Sequence, residues 1–321
     1  MNFDLDDDQR DFARGAKDFY EASASPAAVR AQLDTGAPVA PGLKAVADIG
    51  FYGITVAESA GGSGRTVLDL AVVAEQGGRT LAGPSLATAA RAAVLLAGDD
   101  ARSSALADGS VAYAVVDGPH PSLDAQGAQT FLALVDGQVV AAPGETTTGR
   151  EQIDPSRGLA SVALQGGDVV APGDRWERAL QVGRVILAAE DLGTAAKAVE
   201  MGVEYAKLRT AFGRPIGSYQ AVKHALVDAY VGVEQLRSLV WWAAWAADES
   251  PDELPMASAA AKAYAAQVIE QATSAAIQVH GGIGFTWEHD AHLYWRRGKV
   301  DRLLLGDEVS LLDEVATLAL A

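Results

Sequence analysis

A mainly helical fold in three parts is what the sequence predicts. Three observations carry that expectation. Apolar residues recur at helical spacing up to about residue 108; strand-like runs are confined to about 109–172; and from about 173 onward come three apolar-periodic runs long enough to form a bundle. The expected divisions are therefore 1–108, an N-terminal helical domain, 109–172, a small reduced β domain, and 173–321, a C-terminal bundle of long helices.

In the first part, Leu5, Phe12, Ala16, Phe19 and Tyr20 share a helical face, and acids crowd the N-terminal end, where a helix dipole favours them. A short helix is expected over 43–49, ended by Gly50. After a Gly61-Gly62-Ser63-Gly64 loop, further helices start at 67 and 85. The second part opens with a strand over 110–116. Residues 131–135 and 139–141 flank Asp136-Gly137, a pair that supplies the left-handed turn of a hairpin. Short strands at 161–164 and 168–170 complete it.

The third part begins with Asp174 and Glu177, spaced as a capping box. From there the helical pattern runs to about residue 208, roughly 50 Å at 1.5 Å per residue. A second long helix is expected over 218–248, with Trp241, Trp242 and Trp245 on its apolar face. A third covers 255–280 and stops at Gly281-Gly282, and shorter ones follow at 291–304 and 307–320.

Composition excludes several classes of function. The chain of 321 residues carries 25 Lys plus Arg against 42 Asp plus Glu, a net charge of −17, so it lacks the basic face a nucleic acid requires. Without cysteine there is no thiol nucleophile, Fe–S cluster, thiolate zinc site or disulfide. Met1 leads straight into Asp4, Asp6, Asp7 and Asp8, the opposite of a signal peptide, and no apolar run reaches the ~18–20 residues of a membrane span. A cytoplasmic protein with no membrane partner is expected. His289 and His292 lack a carboxylate in a ligand pattern and are expected at the surface or at an interface, not on a metal. Arg296, Arg297 and Lys299 are expected on a solvated basic helix face.

Two segments place unusual residues at helix ends. The stretch from Arg209 through Phe212, Gly213, Arg214, Pro215 and Gly217 to Gln220 joins the first two long helices. A connecting turn needs only its Gly and Pro; the Arg, Phe and Gln are surplus to that, and a guanidinium beside a helix N-terminus suits a pyrophosphate. Gln278-Val279-His280-Gly281-Gly282-Ile283-Gly284-Phe285 ends the third long helix with glycines that let a backbone approach a ligand.

In this order on a helical background, the two segments resemble those of the acyl-CoA dehydrogenase family. The start Phe3-Asp4-Leu5-Asp6-Asp7-Asp8-Gln9, the run Ile49-Gly50-Phe51-Tyr52-Gly53-Ile54 and the Gly61–Gly64 loop agree with it. The resemblance implies that an acyl-CoA loses an α proton to a base and a β hydride to FAD. It also implies that each flavin lies at a subunit interface, its adenine-side pyrophosphate gripped by the neighbouring chain. The gripping residues carried over are Arg209, Phe212, Gln220, Gln278, Gly281 and Gly282.

The family's catalytic positions are empty here. The usual Glu near the C-terminus falls on Leu305, and the alternative Glu of the first long helix falls on Gly183, so no catalytic base is assigned. Glu190, seven residues after Gly183, and Asp307 and Glu308, two and three past Leu305, are the carboxylates that could substitute. The family's Thr-Glu-Pro and Trp-x-Thr stretches, which lie against the flavin ring, are missing from 109–172.

This pattern resembles the short subunits of actinobacterial heteromeric acyl-CoA dehydrogenases. The resemblance implies an α2β2 tetramer with a related, base-carrying subunit, FAD as cofactor, an acyl-CoA substrate such as a steroid side-chain thioester, and electron-transferring flavoprotein as acceptor. Two other readings stay open on sequence alone: a self-sufficient homo-oligomer using Glu190 or Asp307 as base, and a flavin-free scaffold subunit.

Overall fold

The computed structural model describes residues 4–35, 40–149 and 152–320; Phe3 of the N-terminal motif lies outside them. Helix α1 (Asp7–Ser23) opens on a capping box between Asp6 and Gln9 and buries Ala16 and Tyr20. Helices α2 (Pro26–Thr35) and α3 (Leu43–Asp48) follow. Next come α4 (Val67–Arg79), boxed by Thr66 and Asp69, and α5 (Leu86–Leu96), capped by Ser85. The first helical region closes with α6 (Asp100–Ala107).

Strands β1 (Tyr113–Val116), β2 (Thr130–Val135), β3 (Gln138–Ala142) and β6 (Asp168–Pro172) form one sheet in the order β1-β2-β3-β6. The expected hairpin is β2–β3, with Asp136 and Gly137 both at positive φ between Val135 and Gln138. A separate ribbon pairs β4 (Gly144–Thr147) with β5 (Ser161–Leu164).

Five helices complete the chain: α7 (Arg175–Leu208), α8 (Gln220–Glu249), α9 (Leu254–His280), α10 (Ala291–Asp301) and α11 (Glu308–Leu320). Helix α7 is the axis of the molecule. Every residue from 181 to 196 is buried, because α4, α5, α8 and α9 surround it. Over that span the helix has no water-facing side, and the charges it carries there are paired inside the protein. Its contact with α4 is backbone to backbone: a side chain on Gly78 would strike the Glu190 carbonyl, and one on Gly193 the Glu75 carbonyl.

Several elements differ from expectation. Asp174 is already helical in φ and ψ and makes no side-chain cap, while Glu177 accepts from Gln181, so there is no capping box. Helix α6 and strand β4 are unannounced because their sequences, Asp-Ala-Arg-Ser-Ser-Ala-Leu-Ala and Gly-Glu-Thr-Thr, show little apolar periodicity and are held by packing and pairing. Trp241 is buried; Trp242 is half-buried and donates to Glu253 at 2.9 Å.

Candidate functional site

The two sequence segments meet at one end of the bundle. Helix α7 ends where the Arg209 amide donates to the Tyr205 carbonyl at 2.8 Å. A hairpin follows at once, β7 (Thr210–Ala211) against β8 (Arg214–Pro215), with Thr210 opposite Pro215 and Ala211 opposite Arg214. Its two-residue turn puts Phe212 at φ 51° and Gly213 at φ 77°, the type I′ signature. Glycine takes that conformation freely; phenylalanine takes it at a cost of about 1 kcal/mol. The strained Phe212 ring is 97% exposed.

Local contacts hold this hairpin rigidly. The Tyr219 hydroxyl donates to the Ala211 carbonyl at 3.0 Å, and the Arg214 guanidinium sits 4.1 Å over the Tyr219 ring. Buried Ala206, Leu226 and Val279, with Tyr205, Ile216 and Val222 around them, join the end of α7 and the start of α8 to the end of α9. Gln220 and Gln278 therefore lie at the same end of the bundle, as do Gly281 and Gly282.

These residues have no employment inside the chain. Among the described residues, the Arg209 guanidinium and the Gln220 and Gln278 carboxamides are exposed and have no hydrogen-bond or ionic partner. Gly281 at φ 66° needs to be glycine for its backbone. Gly282 does not: its φ is unexceptional and a Cβ there would meet open space. An unpaired guanidinium, two free amides, an exposed aromatic and a bare glycine backbone fit a dinucleotide's pyrophosphate and its flanking ring better than they fit any need of the fold.

The opposite situation holds around Gly183 and Leu305. These residues, remote in sequence, adjoin: a Cβ on Gly183 would lie 3.2 Å from Leu305 Cδ1 and only 2.5 Å from Arg91 Cδ. Arg91 fills the space above Gly183, held by Asp117 at 2.5 Å and by the Trp176 ring at 5.6 Å. Leu305 lines a cavity of about 1020 Å³ walled also by Leu134, Ile153, Leu180, Leu303 and Leu304 among others. Among the described residues, every carboxylate lining it is engaged. Asp117 pairs with Arg91 and Asp154 with Arg297, while Asp307 accepts from the Val309 and Ser310 amides, which hold its carboxyl below the usual carboxylate range. None is a base poised to take a proton.

Glu190, one of the sequence-nominated carboxylates, is a structural anchor. One oxygen accepts from the Ser85 hydroxyl and the Leu86 amide, each at 2.8 Å, and the other pairs with Arg157 at 2.7 Å. Arg157 also pairs with Asp301, its Nε at 2.7 Å from Oδ1. Beside them, Lys262 donates to the Asp301 carbonyl at 2.9 Å and pairs with Asp191 at 3.4 Å. Burial and the neighbouring Asp301 carboxylate push Asp191 up to about 7, against the pull of Lys262 and Arg157. Burial likewise raises Asp124 to about 6.

Two further expectations are corrected. Arg297 is buried, not solvated, and bonds Asp154, Ser156 and the Leu81 carbonyl. His292 is buried, edge-on to Trp287 of the loop before α10 at 4.9 Å. Neither histidine belongs to a metal-holding group among the described residues. The buried charges had a sequence signal: Arg91, Lys262 and the Glu190-Asp191 pair each interrupt an alanine-rich apolar run, where an isolated charge needs a buried partner.

Helices come before, a small sheet between and a long-helix bundle after, with the two motif-bearing helix ends brought together, and this is the architecture of a flavin-dependent dehydrogenase family that also matches in sequence. Profiles of the acyl-CoA dehydrogenase N-terminal and C-terminal domains match residues 6–102 and 174–319, and the chain belongs to the acyl-CoA dehydrogenase family. Acyl-CoA dehydrogenase IpdE2 of Mycobacterium tuberculosis is 34% identical over 288 residues, covering 88% of each chain. The ChsE4-ChsE5 complex from the same organism superposes with a TM-score of 0.84 at 24% identity, over 100% of this chain and 99% of that one. A steroid acyl-CoA dehydrogenase, Tcur3481-Tcur3483, gives 0.83 at 24% identity over 98% of each. No helix among the described residues is long and apolar enough to cross a membrane.

Proposed function

We propose that the chain is a non-autonomous subunit of an FAD-dependent acyl-CoA dehydrogenase. It grips the pyrophosphate and adenine side of a flavin seated in a related partner subunit, through Arg209, Phe212, Gln220, Gln278, Gly281 and Gly282, and contributes no base. The observation that carries this reading is the contrast between the two ends: polar groups left unpaired around Arg209, and a space stoppered by Arg91 where Gly183 and Leu305 meet. Bound FAD supplies the hydride acceptor. In this chain Arg209 neutralises phosphate charge, the two carboxamides donate hydrogen bonds, and Gly281-Gly282 gives the backbone room to approach.

The partner would carry the catalytic Glu and most of the acyl pocket, in an α2β2 cytoplasmic assembly built from the divisions 1–108, 109–172 and 173–321. Its substrate would be a steroid side-chain CoA thioester and its acceptor electron-transferring flavoprotein. Supporting this are the IpdE2 likeness and the two-component ChsE4-ChsE5 and Tcur3481-Tcur3483 neighbours, the second a steroid enzyme. Exposed Val227, Tyr230 and Val231 on α8 and Phe285 and Trp287 beyond α9 supply apolar surface for such an assembly.

Arg209→Ala tests the assignment. Charge-assisted hydrogen bonds of this kind are worth about 1.5–3 kcal/mol, so FAD retention by the complex should weaken by about 10- to 100-fold. Unchanged flavin content on gel filtration would defeat it. The isolated chain should be colourless, whereas a yellow homotetramer with one flavin per chain would restore the self-sufficient reading.

A further inference from the structure

Between the two gripping segments lies a feature that neither of them explains. The Tyr205 ring, one turn before Arg209 on α7, faces the His280 ring at a centroid distance of 4.3 Å. His280, the last residue of α9 before Gly281, faces His289 at 4.1 Å. His289 lies in the loop before α10, and Tyr205 meets it edge-on at 6.4 Å. Three rings from three segments thus form one tilted stack, with Arg209 one turn past Tyr205 on α7 and Gly281-Gly282 directly after His280.

Hydrogen bonds fix the state of both imidazoles. His280 Nδ1 is 2.7 Å from the Ala276 carbonyl, which only accepts, so that nitrogen carries the proton. His289 Nδ1 accepts from the Ala291 amide at 3.1 Å, so that nitrogen carries none, and it caps the first residue of α10. Adding a proton to His289 would set two N–H groups against each other and put a cation on the face of His280.

The groups around His289 offer little relief. Facing it are His280 from α9, Tyr205 from α7, Arg30 from α2 and Asp290 in its own loop, and Arg30 and Asp290 are already paired through the guanidinium, with Nε 3.0 Å from Oδ1. Arg30 also bonds the Trp287 carbonyl, tying the loop to α2.

We propose that Tyr205, His280 and His289 are positioning residues, a stacked brace that sets the spacing between the Arg209 and Gly281-Gly282 segments and loosens when His289 is protonated. The inference rests on the flavin-lending reading. Burial and the neighbouring His280 hold His289 below its ordinary value of 6.5, in keeping with a neutral ring in the assembled state. The folded form therefore binds its proton less readily than the unfolded chain. The brace is intact above about pH 6.5 and is lost as pH falls below that value.

The test uses this chain co-expressed with its acyl-CoA dehydrogenase partner, with FAD retained after gel filtration read from pH 5 to 8. Removing a stacked ring with His280→Ala should lower retention at pH 7.5 by a few-fold to about tenfold, while His280→Phe, which keeps a ring, should stay within about twofold of the parent. The parent should shed flavin below pH 6.5, and His289→Phe should flatten that profile. Should His280→Ala fail to fold, the His289→Phe profile decides alone. Parental retention in a folded His280→Ala, or an unaltered pH profile in His289→Phe, would overturn the brace. Arg209→Ala separates the two levels: if it lowers retention and the histidine variants do nothing, the brace falls and flavin lending stands; if it too does nothing, both fall.

Discussion

The C-terminal end of α7 and its middle treat charge in opposite ways. At its C-terminal end, Arg209 is exposed and unpaired, and Phe212 stands in solvent on a strained turn. Midway along, Glu190 and Asp191 are enclosed, with Glu190 held by Ser85, Leu86 and Arg157 and Asp191 by Lys262. A buried charge must be paired, whereas an exposed one is retained without cost to the fold and is free for a ligand. The lesson is that sequence motifs with no internal partner point outward, while charges inside apolar runs point to the core.

Substitutions that exchange those roles should separate the two regions. The largest effect is expected from Arg157→Met. It leaves Glu190 and Asp301 buried without their shared cation, and breaking such a pair costs about 3–5 kcal/mol in urea unfolding. A loss under 1 kcal/mol would mean that Lys262 and Ser85 suffice.

Next comes Gly183→Glu, which puts a carboxylate back at one base position. The Arg91 stem occupies that space, so the variant should lose about 1–3 kcal/mol and gain no dehydrogenase turnover. Turnover from Gly183→Glu alone would show the space to be open.

A smaller effect follows from Asp191. Its carboxyl keeps its proton up to about pH 7 when folded but releases it near 3.8 when unfolded. Its contribution to stability is present at low pH and falls as pH rises from about 4 to about 7. Asp191→Asn, which imitates the protonated acid, should flatten that part of the stability profile. An unchanged slope would assign it to Asp124 instead.

The smallest effect is the most diagnostic of the exposed end. Phe212→Asn creates the Asn-Gly pair that a type I′ turn prefers and should stabilise the isolated chain by roughly 0.5–1 kcal/mol. The same change should lower flavin retention in the complex. If both stability and retention rise, Phe212 serves neither partner nor cofactor.

How far these features could be read beforehand follows the same division. The long helices, the Asp136-Gly137 hairpin and the Arg209–Gln220 connection were readable because periodicity, turn chemistry and surplus side chains are local properties of sequence. The β7–β8 hairpin escaped notice because two-residue strands carry no alternation to detect. Arg297 looked like part of a basic face beside Arg296 and Lys299. Its burial depends on Asp154, which approaches from the middle segment and could not be paired with it from spacing alone. The Tyr205–His280–His289 stack is likewise an encounter of three distant segments.

Arg157 also constrains how the molecule assembles. Its carboxylate partners belong to α7 and α10, far apart in the chain, and its own segment follows the β4 strand. A guanidinium surrenders its water only when both acids stand ready, so the middle segment can close over the bundle only after those helices have met. The clasp is then a late event, formed beyond the folding barrier. Kinetically, the Arg157→Met loss should show as faster unfolding with refolding unchanged, and slowed refolding would place the clasp in the nucleus instead.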